Sequence, residues 1–235
     1  MNRRITSLIR FVMDELLPPI IRDNKYFMYP FYKLAYWGSD IKEVMDFKKN
    51  IYSMTDVEYE QFYQKIKSIS RYRDTDLNHN CIVKILDYIK KESPSEVADI
   101  GCGNGYMLEK IAGIDKDIQL IGVDLFDSMD GDFKYVKSKI TDLPFADNSI
   151  DTVICSHVIE HILDANKAVE ELIRITRHRL IIIVPKQRYY YYTLDEHVNF
   201  YQQKEQVAAL IGVKNWQCDD INGDWFYTTE KNKQK

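Results

Sequence analysis

The chain has 235 residues, of which 45% are hydrophobic and 29% charged, with 9 glycines against 17 tyrosines. That is ordinary globular usage and excludes a disordered or fibrous chain. The formal net charge of -4 excludes a strongly basic nucleic-acid binder, and the 16 Lys+Arg against 13 Asp+Glu within residues 1–94 are what a solvated helical surface carries.

Residues 1–92 read as a helical extension. Ile5, Leu8, Ile9, Val12, Met13, Leu16 and Leu17 recur at i, i+3, i+4 and i+7, and Pro18-Pro19 ends or kinks that helix. An aromatic-rich stretch from Tyr26 to Trp37 follows, expected as core of the extension or as a lid. Two further helical patterns lie at about 40–52 and 55–70. Another, at about 77–92, opens with Asp76 or Asn78 as N-cap and stops before Pro94.

From residue 95 the period changes. Apolar runs at 96–100, 119–124, 133–139, 151–155 and 180–184 read as strands, with helical patterns between them at about 105–113, 164–176 and 201–212. Strands alternating with helices imply an α/β fold with a mainly parallel sheet covered on both faces. Two short strands, about 214–219 and 225–229, flank the turn signal Asn222-Gly223-Asp224 and predict an antiparallel hairpin at the C-terminal end. Cys81, Cys102, Cys155 and Cys218 show neither zinc-ligand nor disulfide spacing, so free thiols, no metal and a cytoplasmic setting are expected.

Glycine is scarce before residue 100, where Gly38 stands alone, and then clusters in Asp99-Ile100-Gly101-Cys102-Gly103-Asn104-Gly105, between a strand and a helix. Gly101 and Gly103 remove Cβ atoms where a ligand would press on the turn, and Gly105 lets the next helix pack on the strand. The spacing is G-x-G-x-G, which is neither the dinucleotide G-x-G-x-x-G nor a Walker A. A short loop preceded by an acid suits a ligand bearing an ammonium group. Asp124, at the end of the second strand, is placed to accept two ribose hydroxyls.

These features resemble motifs I and II of the class I S-adenosylmethionine (SAM)-dependent methyltransferases. Three more blocks are similar to that family: Leu143-Pro144-Phe145-Ala146-Asp147-Asn148-Ser149-Ile150-Asp151 before the fourth strand, Ser156-His157-Val158-Ile159-Glu160-His161 at its exit, and Glu196-His197-Val198-Asn199-Phe200 after the fifth. The resemblance covers about residues 95–230, within a methyltransferase domain of 93–235. It implies a Rossmann-like seven-stranded sheet, and SAM as cofactor with S-adenosylhomocysteine (SAH) as product. It also implies a cofactor surface of Asp99, Gly101, Cys102, Gly103, Asn104, Gly105, Asp124, Leu125, Ile140 and Ser156. Where family members often carry an acid before the Leu-Pro-Phe block, this chain has Lys139, so adenine recognition falls to backbone near Ile140 or to Asp142.

Transfer to a hydroxyl requires a base, and histidine suits that task near neutral pH. His157, at the carboxyl end of the fourth strand, and His197, in the tyrosine-rich segment after the fifth, are the leading candidates, while His161, one helical turn past His157, is read as stabilising its loop. Tyr189 to Tyr192 would line an acceptor pocket or pack under the extension. Lys186 and Arg188 are candidates for an anionic group on the acceptor. The expected reaction is methyl transfer from SAM to a small or amphiphilic acceptor, on oxygen, as in bacterial enzymes of surface-glycan or secondary metabolism. A non-catalytic SAM-binding subunit and a protein or nucleic-acid methyltransferase stay open as alternatives, although no N-P-P-Y-type motif follows the fourth strand. The first helix, with Arg3, Arg4 and Arg10, has a membrane-surface pattern that Asp14 and Glu15 interrupt.

Overall fold

The computed structural model describes residues 12–66, 74–125, 131–212 and 214–231, with the side chains of Asp14 and Glu15 left out. Most of the first predicted helix therefore lies outside the described residues, as does the end of the pattern at 55–70. Two compact units emerge, one of residues 74–186 and 199–235, the other of residues 1–73 and 187–198.

The first unit is built on a seven-stranded sheet: β1 (Glu96–Ile100), β2 (Gln119–Asp124), β3 (Lys134–Lys137), β4 (Ile150–Ser156), β5 (Thr176–Pro185), β6 (Trp216–Ile221) and β7 (Asp224–Glu230). Their order is β3-β2-β1-β4-β5-β7-β6. The first five strands run parallel, with Ala98 facing Ile121 on one side and Val153 on the other, and β7 lies antiparallel between β5 and β6. The hairpin turns on Asn222 and Gly223, both with positive φ (54° and 87°), which suits Asn-Gly in a two-residue turn.

Alternate residues along the apolar strands feed two cores. Ala98, Val153, Cys155 and Ile182 meet the helix Ala165–Ile175, whose Ala168, Val169, Leu172 and Ile175 recur at helical spacing. Val97, Ile154, Ile181 and Phe226 pack on the other face with the helices His79–Glu92 and Tyr106–Ala112. The helix 79–92, placed in the extension by its sequence, thus belongs with the sheet. Its N-cap is Asn78, whose Oδ1 accepts from the Cys81 N–H at 3.0 Å. β5 begins four residues earlier than its apolar run, directly at Thr176. The order reverses between β1 and β4, which opens the crevice at their carboxyl ends where ligands sit in such sheets.

The second unit is helical. We label its helices α1 (Pro19–Arg22), α2 (Lys25–Ala35), α3 (Ile41–Met45), α4 (Phe47–Asn50) and α5 (Asp56–Lys65). The aromatic stretch is helical because Asn24 caps it, accepting from the N–H groups of Tyr26 and Phe27. Met28, Tyr32 and Tyr36, four residues apart, turn inward against Phe47, Phe62 and Met45. Residues 187–198 are threaded into this unit: Tyr32 donates to the Thr193 carbonyl, Lys48 to that of Tyr190, and the Tyr191 N–H donates to Asp23 at 2.7 Å. All four cysteines are free thiols. No helix among the described residues is long and apolar enough to cross a membrane.

Candidate cofactor site and its surroundings

The loop after β1 is held by β2. The N–H groups of Gly101 and Cys102 both donate to the Val123 carbonyl, at 2.7 and 3.1 Å. Gly101, Gly103 and Gly105 all have positive φ, a region that costs other residues about 1–2 kcal/mol. Their surroundings differ. A Cβ on Gly101 would stand 2.2 Å from the Val158 side chain, and one on Gly105 2.6 Å from the Phe133 ring. A Cβ on Gly103 would meet nothing within 4 Å. Gly103 is therefore the glycine that borders open space, while Gly101 and Gly105 make room for the protein's own side chains. Phe133 also abuts Gly122 and Gly131. Sequence reading missed it and Val158; only the glycines they press against hinted at them.

Two carboxylates frame the loop. Asp124 ends β2, and its Oδ2 accepts from the Gly103 N–H at 2.9 Å while Oδ1 accepts from the Leu125 N–H at 2.7 Å. Asp99 is buried, and its Oδ1 has no hydrogen-bond partner. Burial, with the Asp124 charge adding to it, pushes the Asp99 carboxyl up to about 7. Asn104 is exposed, and its Oδ1 accepts from the Tyr106 N–H two residues on. Cys102 is buried under the loop, and burial raises its thiol pKa. Ile140 is buried in the core, so it offers a ligand only its backbone. Next to it the Asp142 N–H donates to the Lys139 carbonyl, and Ser138 Oγ to that of Asp142.

At the exit of β4, Ser156 is half-buried and His157 adopts a left-handed backbone (φ 55°). The His157 ring lies between two carboxylates, Nδ1 at 3.1 Å from Glu160 Oε1 and Nε2 at 3.6 Å from Asp224 Oδ2. Burial alone would lower its pKa, but the two carboxylates outweigh burial and hold it at about 10. Glu160 is fully buried, and the turn around it is pinned by Asn199, whose side chain donates to the carbonyls of Ile159 and Ile162. Nothing in the local sequence paired His157 with Asp224.

His197 belongs to the helical unit. It is buried, with Nδ1 at 2.8 Å from Gln187 Oε1 and 3.4 Å from Asp195 Oδ1. Of the tyrosine run, Tyr190 is buried and Tyr189 exposed, and Arg188 bonds Tyr190 through its Nε. Lys186 instead belongs to the sheet, pairing with Asp220 at 2.7 Å.

A family model for a methyltransferase domain matches residues 98–184. An uncharacterized protein of Methanocaldococcus jannaschii is 31% identical over 150 residues, 61% of each chain. The ajmaline N-methyltransferase of Rauvolfia serpentina is 25% identical across 59% of this chain and 52% of its own. This chain thus spans about three-fifths or less of the length of these relatives. Among solved structures, magnesium protoporphyrin IX methyltransferase of Synechocystis PCC 6803, with bound SAH, superposes with a TM-score of 0.51 at 14% identity, over 82% of this chain and all of that one. That likeness concerns the fold alone. Residues 98–184 thus match the methyltransferase-domain family, within a sheet of the order described above.

Proposed function

We propose that SAM binds over the loop Gly101–Gly105 and that the protein transfers its methyl group to a small or amphiphilic acceptor, a metabolite or glycan, on oxygen. The observation that carries this reading is the pairing of open space at Gly103 with the Gly103–Asp124 bond. It presents a backbone that a ligand can approach, with a carboxylate fixed at its edge. Asp124, with about four acceptor sites, suits two ribose hydroxyls beside its backbone donors. The unpartnered Asp99 oxygen suits an ammonium group, directly or through water. Leu125 and the backbone at Ile140 would flank the adenine. When bound, SAM supplies an already activated methyl group on a sulfonium.

In this reading His157 is a positioning residue: as a cation between Glu160 and Asp224 it holds the β4 exit and takes no proton near neutral pH. His197 is the other candidate base: with the Gln187 oxygen accepting from Nδ1, its lone pair would stand on Nε2. A second reading, transfer to an amine, is favoured by the same commitment of His157, since an amine acceptor needs less help from a base. Neither reading calls for nucleic acid or a metal, and both suit a cytoplasmic enzyme. Isothermal titration with SAM and SAH tests the cofactor step. Binding by the wild type, weakened by about 1.5–3 kcal/mol in Asp124→Ala, is expected; absence of binding by the wild type overturns the reading.

A further inference from the structure

The outer face of α2 carries a pattern that methyl transfer does not use. Its inner face is spent on Met28, Tyr32 and Tyr36. Beside it, at i, i+3 and i+7, stand Tyr26, Tyr29 and Lys33, with Trp37 in the turn that follows α2 and Ile20 before them in α1. Tyr26 is 86% exposed, Trp37 80% and Ile20 83%. These large side chains gain nothing for the fold where they stand, and such clusters mark surfaces that meet something else.

Charge decides what that is. Between residues 16 and 38 the exposed charged side chains are Lys25 and Lys33, both positive. The acid in that stretch, Asp23, is half-buried and accepts the Tyr191 N–H. A second copy of the chain fits poorly, because an isologous contact would bring these like-charged lysines together, and the next exposed acid, Asp40, is engaged as the N-cap of α3. Tyr and Trp have an apolar body and a polar tip, which suits the headgroup layer of a bilayer, and lysines beside them suit anionic headgroups.

We propose that this face docks the protein on an anionic membrane surface, lying in the interface without crossing it. The inference is independent of the methyl-transfer reading. It differs from the pattern of the first residues, since the face begins after Pro18-Pro19.

Co-sedimentation of the full chain with phosphatidylcholine vesicles containing one-third phosphatidylglycerol tests it. Binding is expected to the anionic vesicles, to fall with added salt, and to be weak on phosphatidylcholine alone. Lys25→Gln and Lys33→Gln should each weaken it about fivefold, and Tyr26→Glu with Trp37→Glu about tenfold or more. A blue shift of tryptophan emission on vesicles, absent from Trp37→Phe, gives a readout that survives if the double variant fails to fold. The proposal is overturned if the wild type does not bind, or if the folded double variant binds as well as the wild type. It is equally overturned if binding is lost only in Arg3→Gln, Arg4→Gln, Arg10→Gln. Self-association through this face, without vesicle binding, would overturn it in favour of a dimer.

Discussion

Nε2 of His157 lies 3.6 Å from Oδ2 of Asp224, and Asn78 Nδ2 donates to that same oxygen at 2.7 Å. The cluster joins the β4 exit, the start of β7 and the N-cap of the helix 79–92. With its pKa raised to about 10 from an ordinary value near 6.5, His157 holds its proton longer folded than unfolded. Its stabilisation is therefore complete below about pH 6.5 and is lost as pH rises through 10. Urea midpoints of the wild type should fall between pH 7 and 10 more steeply than those of His157→Gln. Parallel profiles would refute the coupling.

Asp99 shifts stability in the same direction, at lower pH. Its carboxyl is raised to about 7, mainly by burial, so it costs the folded state stability as pH rises from about 4 to 7. A cationic group on a bound cofactor favours the ionised form. SAM affinity should accordingly rise between pH 6 and 8, measured by isothermal titration at each pH. In Asp99→Asn affinity should be lower and nearly flat across that range; an unchanged slope would remove Asp99 from the binding site.

Two glycines of the loop should separate by mutation. Gly101→Ala drives a methyl into Val158 at a positive φ, and a loss of about 3 kcal/mol in unfolding free energy is expected. Pairing it with Val158→Ala should recover part of that loss. Gly103→Ala meets no atom and should cost only the backbone term, about 1 kcal/mol. Its effect should appear in SAM binding. If Gly103→Ala bound SAM normally, the cofactor would not approach the loop there.

Much of the sheet was legible because β1, β2 and β4 are apolar runs that stop at turn residues, and Asp99, Gly103 and Asp124 were found together because each lies within a few residues of a strand end. β5 was read short because its first residues are polar: Arg179 is paired with Glu92 at the end of the helix 79–92 and with Glu230 on the neighbouring β7, a pairing that local hydrophobicity cannot show. The helix 25–35 was hidden by Pro30 and by its aromatic crowding. The place of 187–198 among the helices rests on contacts such as Tyr32 to Thr193, 161 residues apart. The partners of His157 escaped for the same reason, since Asp224 lies on the hairpin and Asn78 on a helix cap.

The Leu143-Pro144-Phe145 block, noticed first as a family likeness, owes its shape to Arg174. The guanidinium donates to the carbonyls of Phe145 (2.6 Å) and Leu143 (2.9 Å) and grips Glu171 through two nitrogens (2.7 and 2.8 Å), while Glu171 Oε2 accepts the Leu143 N–H. The further pair with Asp147 lies in solvent and contributes little. Arg174→Ala should therefore lower unfolding free energy by about 2 kcal/mol, and Asp147→Ala by less than about 0.5 kcal/mol. Arg174→Lys should fail to rescue, because an ammonium cannot reproduce the fork that reaches two carbonyls and a carboxylate at once. Chemical denaturation of the three variants checks this, and full rescue by lysine would show that charge, and not the planar fork, holds the segment.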